Sequence, residues 1–271
     1  MRKLICCLMI LLCLFPAVLA EEEFPVWEYP IAPLTLMDHA GYLVLTNKNE
    51  LLNSDFVPKD LVNVTLRRET TCQLRKPVLD ALTEMFTAAE AFGYKLYVKS
   101  AYRSYQTQNT MYYNRLDRMG YDDGLVAYPG SSDHQTGMGI DVLNKKWMEK
   151  DGMNYRFAEE AEAQWMAANC HAYGFVIRYL KGKEDITGIE YEPWHLRYVG
   201  KECAAYMKEN NLTLEEFTAE YRAYIASFEA LCGRTFKQYC DFLTALPPAI
   251  ETDIYAEDGD AEISLFYDRN H

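Results

Sequence analysis

Positive charge is scarce in this chain: 27 Lys+Arg stand against 40 Asp+Glu, a formal net charge of −13. Such an acidic surface repels phosphate backbones and argues against nucleic-acid binding. No basic amphipathic stripe offers a strong hold on a membrane surface either. Long apolar runs are missing too. The run from Leu4 to Phe15 falls short of the roughly 18–20 residues a membrane span needs, and Pro16 ends it. Set between Arg2-Lys3 and Val18-Leu19-Ala20, it reads as a secretory leader cleaved after Ala20, with an uncleaved N-terminal anchor as the alternative. Without the leader, 25 basic residues face 40 acidic ones. No close cysteine pair of the thiolate-zinc kind follows. Cys72, Cys170, Cys203, Cys232 and Cys240 are odd in number, so at least one has no partner within the chain. In an exported chain they serve as disulfides or inert buried thiols, and their pairing does not follow from spacing. There is no solenoid-type repeat.

What is present is ample core material. The chain is 49% hydrophobic and 14% aromatic over 271 residues, which excludes a disordered composition. Leu74, Val78, Leu79, Leu82, Met85, Phe86, Ala89 and Phe92 recur mostly at three- and four-residue steps, an amphipathic helix stopped by Gly93. Lys95–Ser100 alternates as a half-buried strand, and Ser104–Met119 is a helix closed by Gly120. Further strands are expected at 140–143, 175–179, 189–191 and 195–199, with helices at 157–173 and 200–210. Strands separated by helices, with short returns near the end, make an α+β fold: a small antiparallel sheet with packed helices, its functional site in a cleft on the sheet. The expected organisation is a leader (1–20), an N-terminal arm (21–39), a catalytic domain (40–211) and a helical C-terminal extension with an acidic tail (212–271). Oligomeric state does not follow.

Three segments carry chemistry. SSDHQTGMGID (131–141) offers His134 and Asp141 around glycines that allow a tight fold. EPWH (192–195) offers Glu192 and His195, with Pro193 stiffening the backbone between them. SAYRSYQTQ (100–108) places Arg103 and Gln108 at a strand-to-helix junction. A catalytic zinc ion takes three N/O ligands and keeps one position open, and His134, Asp141 and His195 meet that need. Glu192 is then a general base beside the ligands. Arg103 is placed to steady a developing oxyanion. Ser132 and Gln108 are donors for a substrate carboxylate. The spacing is not that of the helical His-Glu-x-x-His zinc site, because no histidine stands four positions before His195. His39, His171 and His271 are assigned to structure, as are Trp165 and Trp194.

Together these segments, with the run from Trp165 through GFVIRYLKGKEDITGIEYEPWHLRYVG, closely resemble the VanY-type D-alanyl-D-alanine carboxypeptidases, a family that includes L,D-carboxypeptidases of peptidoglycan. The resemblance spans about residues 40–211. It implies one Zn²⁺ held by His134, Asp141 and His195, with Glu192 as acid/base and Arg103 at the oxyanion. It also implies that Ser132, Gln108 and Tyr179 touch substrate, and that peptidoglycan stem peptides are the partner. Met138 and Gly139 stand where leucine and alanine are common, and Leu180 replaces a usual proline, departures that bear on pocket shape. A zinc endopeptidase and a non-catalytic wall-peptide binding module are the alternatives.

Overall fold

The computed structural model describes residues 24–150 and 153–246. The leader and the acidic tail lie outside them. In chain order, the regular elements begin with α1 (Pro33–Asp38), β1 (Leu61–Asn63), β2 (Gln73–Arg75), α2 (Lys76–Ala91), β3 (Leu96–Ser100) and α3 (Tyr105–Met119). They continue with β4 (Gly139–Asn144), α4 (Lys145–Met148), α5 (Ala161–Asn169), β5 (Phe175–Ile177) and α6 (Glu184–Thr187). The last are β6 (His195–Tyr198), α7 (Lys201–Glu209), α8 (Leu214–Cys232) and α9 (Phe236–Ala245). β1 and β2 form a small hairpin, and the main sheet runs β3-β4-β6-β5, antiparallel throughout. This is the expected α+β architecture with a helical C-terminal region.

The apolar face of α2 (Val78, Leu79, Leu82, Met85, Phe86 and Ala89) is buried against Leu96, Val98, Ile140, Val142 and Leu196 of the sheet. Side chains alternate across a strand. With Ile140, Val142 and Leu196 turned to this core, Asp141, His195 and Arg197 face the other side. All six residues of β4 are buried, so both of its faces are covered.

A second cluster joins the first and last parts of the described residues. Tyr29, Ile31, Leu36, Leu43 and Leu45 pack with Val176 of β5, Cys203 and Met207 of α7, and Leu214 and Phe217 of α8. Trp27 adds edge contacts to Tyr224 and Phe228 at ring separations of 4.8 and 5.1 Å. The arm and the extension therefore share a core with the sheet instead of standing apart from it. Thr213 starts α8 with a reciprocal capping box to Glu216, and Gly233 stops it in the left-handed conformation (φ 66°).

Two expectations need correction. The helix expected over 157–173 is three shorter pieces: a 3₁₀ turn at Tyr155–Glu159, α5, and a 3₁₀ turn at Cys170–Tyr173. Residues 189–191 form no strand. There Thr187 Oγ1 donates to the Ile189 carbonyl and Glu192 N–H donates to Tyr179 O, leaving no ladder to continue. The five described cysteines are all free thiols, with Cys170, Cys203 and Cys240 buried. Burial pushes the thiols of Cys170 and Cys203 up to about 12, so these two are inert as nucleophiles.

Candidate active site

Strand register assembles the site. Ser100 of β3 stands opposite Asp141 of β4, and Asp141 stands opposite His195 of β6. One rung of the sheet thus carries three polar residues on one face. His134 arrives from a 3₁₀ turn, Asp133–Thr136, closed by Gly137 at φ 70°. A Cβ on Gly139 would lie 2.8 Å from the Asp133 carbonyl carbon, so its bare backbone lets this turn sit directly on β4. The glycines read from sequence as permitting a tight fold have these separate jobs, one conformational and one of close approach.

The His134 Nδ1–H donates to Ala101 O at 2.7 Å, which leaves Nε2 turned to Asp141 Oδ2 at 3.3 Å. His195 Nδ1 lies 3.1 Å from Asp141 Oδ1 and 3.5 Å from Glu192 Oε2. The two imidazoles meet edge to face, 4.9 Å between centroids. All three residues are buried, and Asp141 Oδ1 has no hydrogen-bond partner. One donor atom from each lies within 4.8 Å of the others. Ligands about 2.0–2.2 Å from a tetrahedral zinc ion stand roughly 3.3 Å apart, close to the separations seen here. A buried carboxylate standing between two imidazoles, with one oxygen unsatisfied, is the donor set such an ion requires, so the residues fit a metal.

Charges around this trio are strongly perturbed. Burial alone would raise Asp141, yet His134 and His195 hold it well below the usual carboxylate range. Burial and the neighbouring Arg103 lower His134. Glu192 is pushed up to about 8, chiefly by burial, with His195 and Arg103 opposing and Asp141 assisting. A carboxyl poised near neutrality inside a cleft is suited to both taking and giving a proton.

The cleft itself holds about 200 Å³. Arg103, Ser132, Tyr179 and Glu192 line it with the trio, and Met111, Leu125, Val126, Ala127, Met153 and Trp194 supply apolar walls. Tyr179 is buried with its ring 5.0 Å from His195. Seven of the eight site residues anticipated above thus converge on one cavity. Gln108 is the partial exception that completes the list. It is 1% exposed, its Oε1 accepts from Arg103 Nη1 at 2.7 Å, and its Nε2 donates to Ala127 O at 2.6 Å. With its oxygen on Arg103 and its nitrogen on the Ala127 carbonyl, Gln108 braces Arg103 and is not among the residues lining the cleft. Ser100 Oγ accepts from Arg103 Nη2 at 3.2 Å, fixing the guanidinium from a second side. Trp194, assigned to packing by sequence, also walls the cleft.

Sequence reading missed the layer beneath. Asp133 is fully buried between two buried arginines: Arg178 Nε donates to its Oδ2 at 2.7 Å, and Arg197 Nη1 donates to Oδ1. Thr46 Oγ1 adds a bond to Oδ1 at 2.9 Å. An Asp-His dipeptide inside the 131–141 motif was the available signal. The arginines come from positions 45 and 64 residues away, which no local pattern connects.

Comparison with known proteins places this site. The family described as VanY, D-alanyl-D-alanine carboxypeptidase, matches over residues 71–201, which include the trio, Arg103 and Glu192. The chain is similar to YodJ of Bacillus subtilis (strain 168), 42% identical over 190 residues covering 68% of this chain and 69% of that one. Its fold is similar to that of the LdcB LD-carboxypeptidase (TM-score 0.61, 42% identity, 65% of this chain and 84% of that one). It is also similar to the vancomycin-resistance D,D-pentapeptidase VanY in complex with Zn(II) (TM-score 0.54, 27% identity, 66% and 99% covered).

Proposed function

Because the chain belongs to the VanY D-alanyl-D-alanine carboxypeptidase family, we propose that it is a zinc-dependent carboxypeptidase releasing the terminal D-alanine from peptidoglycan stem peptides. The observation that carries this reading is the buried His134, Asp141, His195 trio with an unsatisfied carboxylate oxygen, beside Glu192 in one cleft. We place the enzyme outside the cytoplasmic membrane, where cleavage near Ala20 would deliver it.

A zinc ion held by the three ligands would supply Lewis acidity at the scissile carbonyl and make a nearby water more acidic. Glu192 takes the proton from the attacking water and passes it to the departing D-alanine amine. Arg103, braced by Gln108 and Ser100, faces the carbonyl oxygen as negative charge develops there. Ser132 and Tyr179 bound the pocket for the terminal residue. The apolar walls exclude bulk water, which strengthens each of these charge interactions.

The purified chain is expected to release free D-alanine from pentapeptide or tetrapeptide stems and to stop when a chelator removes zinc, restored by added zinc. The 42% identity to an LD-carboxypeptidase supports the tetrapeptide as the better substrate. Chromatography and mass spectrometry of the products check this. Loss of an internal fragment in place of one terminal residue would identify an endopeptidase, and zinc-loaded protein that holds stems without turnover would identify a binding module.

Replacing Arg103 with methionine keeps an unbranched apolar stem and removes the donors. It is expected to lower kcat by roughly 10²–10³-fold, the effect of losing one oxyanion donor. Zinc stoichiometry measured on the same sample should be unchanged, since Arg103 is not among the grouped ligand atoms.

A further inference from the structure

The buried charges beneath the cleft do not end with Asp133. Arg178, 1% exposed, directs its remaining nitrogens at Glu215, on the first turn of α8: Nη2 to Oε1 at 2.7 Å and Nη1 to Oε2 at 2.8 Å. Such a two-point contact fixes a guanidinium in orientation as well as position. Asn47 Nδ2 donates to the same carboxylate at 3.4 Å, and Arg178 also reaches Thr46 O at 3.3 Å. Glu215 lies beyond residue 201, where the family match ends.

Arg178 in turn touches both segments that present imidazoles. Its side chain holds Asp133, the residue before His134, and its backbone N–H donates to His195 O at 3.0 Å. The next residue, Tyr179, lays its ring against His195. Asp133 Oδ2 is 4.0 Å from His195 Nε2, which has no hydrogen-bond partner. Arg178 and Arg197 bring two positive charges into this buried layer, and Asp133 answers one of them. Glu215 answers the other. Without it, an unbalanced positive charge would sit beneath a site that must accept a divalent cation, and Arg178 would lose its outer anchor.

We propose that Glu215, from the C-terminal helical extension, is a positioning residue for the metal centre: by gripping Arg178 it balances the buried charge and holds the His134 and His195 segments in ligand geometry. The extension is then part of the catalytic unit. This rests on the metal reading proposed above, since only a site that takes a cation gives the charge balance a function.

The test uses the full-length chain with Glu215→Gln, which keeps size and hydrogen-bonding capacity but removes the charge. Zinc affinity measured by competition with a chromophoric chelator is expected to fall by about tenfold or more, the lower bound for losing a residue that orients ligands. At saturating zinc, kcat should fall while KM changes by less than about twofold, because Glu215 does not line the cleft. Should Glu215→Gln yield no folded protein, Glu215→Asp replaces it, with a measurable but smaller loss of zinc affinity expected from the broken two-point contact.

Wild-type zinc affinity in the folded Gln or Asp variant, with only the melting temperature lowered, would show a purely structural role and overturn the inference. A wild-type chain that binds no zinc overturns the metal reading and this inference with it, whereas equal affinities in wild type and variant overturn this inference alone.

Discussion

Glu192→Gln is expected to lower kcat for D-alanine release by roughly 10²–10⁴-fold, the range contributed by a positioned proton-transfer group. Glutamine is nearly isosteric, so the cleft keeps its shape, but it cannot accept a proton from water. The zinc content should stay at the wild-type level, because the grouped ligand atoms are those of His134, Asp141 and His195. Burial pushes this carboxyl up to about 8. That environment suits a group that must be proton-free for attack and proton-bearing for departure. Product assays paired with elemental analysis check both halves. A Glu192→Gln enzyme within tenfold of wild-type rate would remove Glu192 from its role, and Tyr179 would be the next group to examine.

The second large effect falls on stability. Asp133→Ala would leave Arg178 and Arg197, both fully buried, without the carboxylate they share. Breaking a buried ion pair by removing one partner costs about 3–5 kcal/mol, because the remaining charge is left desolvated. Against a typical total of roughly 5–15 kcal/mol, that is enough to unfold much of the population. Denaturant melts followed by circular dichroism measure it. A loss below about 1 kcal/mol would mean that water reaches the arginines. Acid should produce a graded version of the same failure. Burial alone would raise Asp133, but Arg197 and Arg178 outweigh it and hold the carboxyl well below its usual range. Its stabilising contribution is therefore complete above the unfolded carboxylate value near ~4 and is lost as the pH falls through the depressed folded value.

The site and the layer supporting it differ in how far they can be read from sequence. His134 and Asp141 fall within one eleven-residue stretch, and Glu192 and His195 within four residues, so their residue types and glycine spacing announce a metal and a base. Strand and helix boundaries around them were readable where alternation or three-to-four spacing was unbroken, as in β3 and α2. At 157–173 the apolar spacing looked helical throughout, but Asn154 starts a 3₁₀ turn and Glu160 takes an extended conformation (φ −77°, ψ 143°) that interrupts it. Gln108, expected as a donor to a substrate carboxylate, has its amide engaged by Arg103 and Ala127. Which way a side chain at the start of a helix points depends on what packs over it, here the Ala127 carbonyl from a loop nineteen residues later.

Sequence alone determined which groups are on offer: which atoms are available as ligands, which carboxyl stands beside them, and that helices would cover a small sheet. These are properties of residue identity and short-range spacing. Tertiary structure decided whether those atoms meet and what holds them. The register that sets Asp141 opposite His195, and the buried Arg178 that joins Asp133 to Glu215 across 82 residues of chain, depend on contacts between segments far apart in sequence. Coulomb forces between buried groups act through space and are felt most where water is excluded, so their partners become visible only once the chain has folded around them.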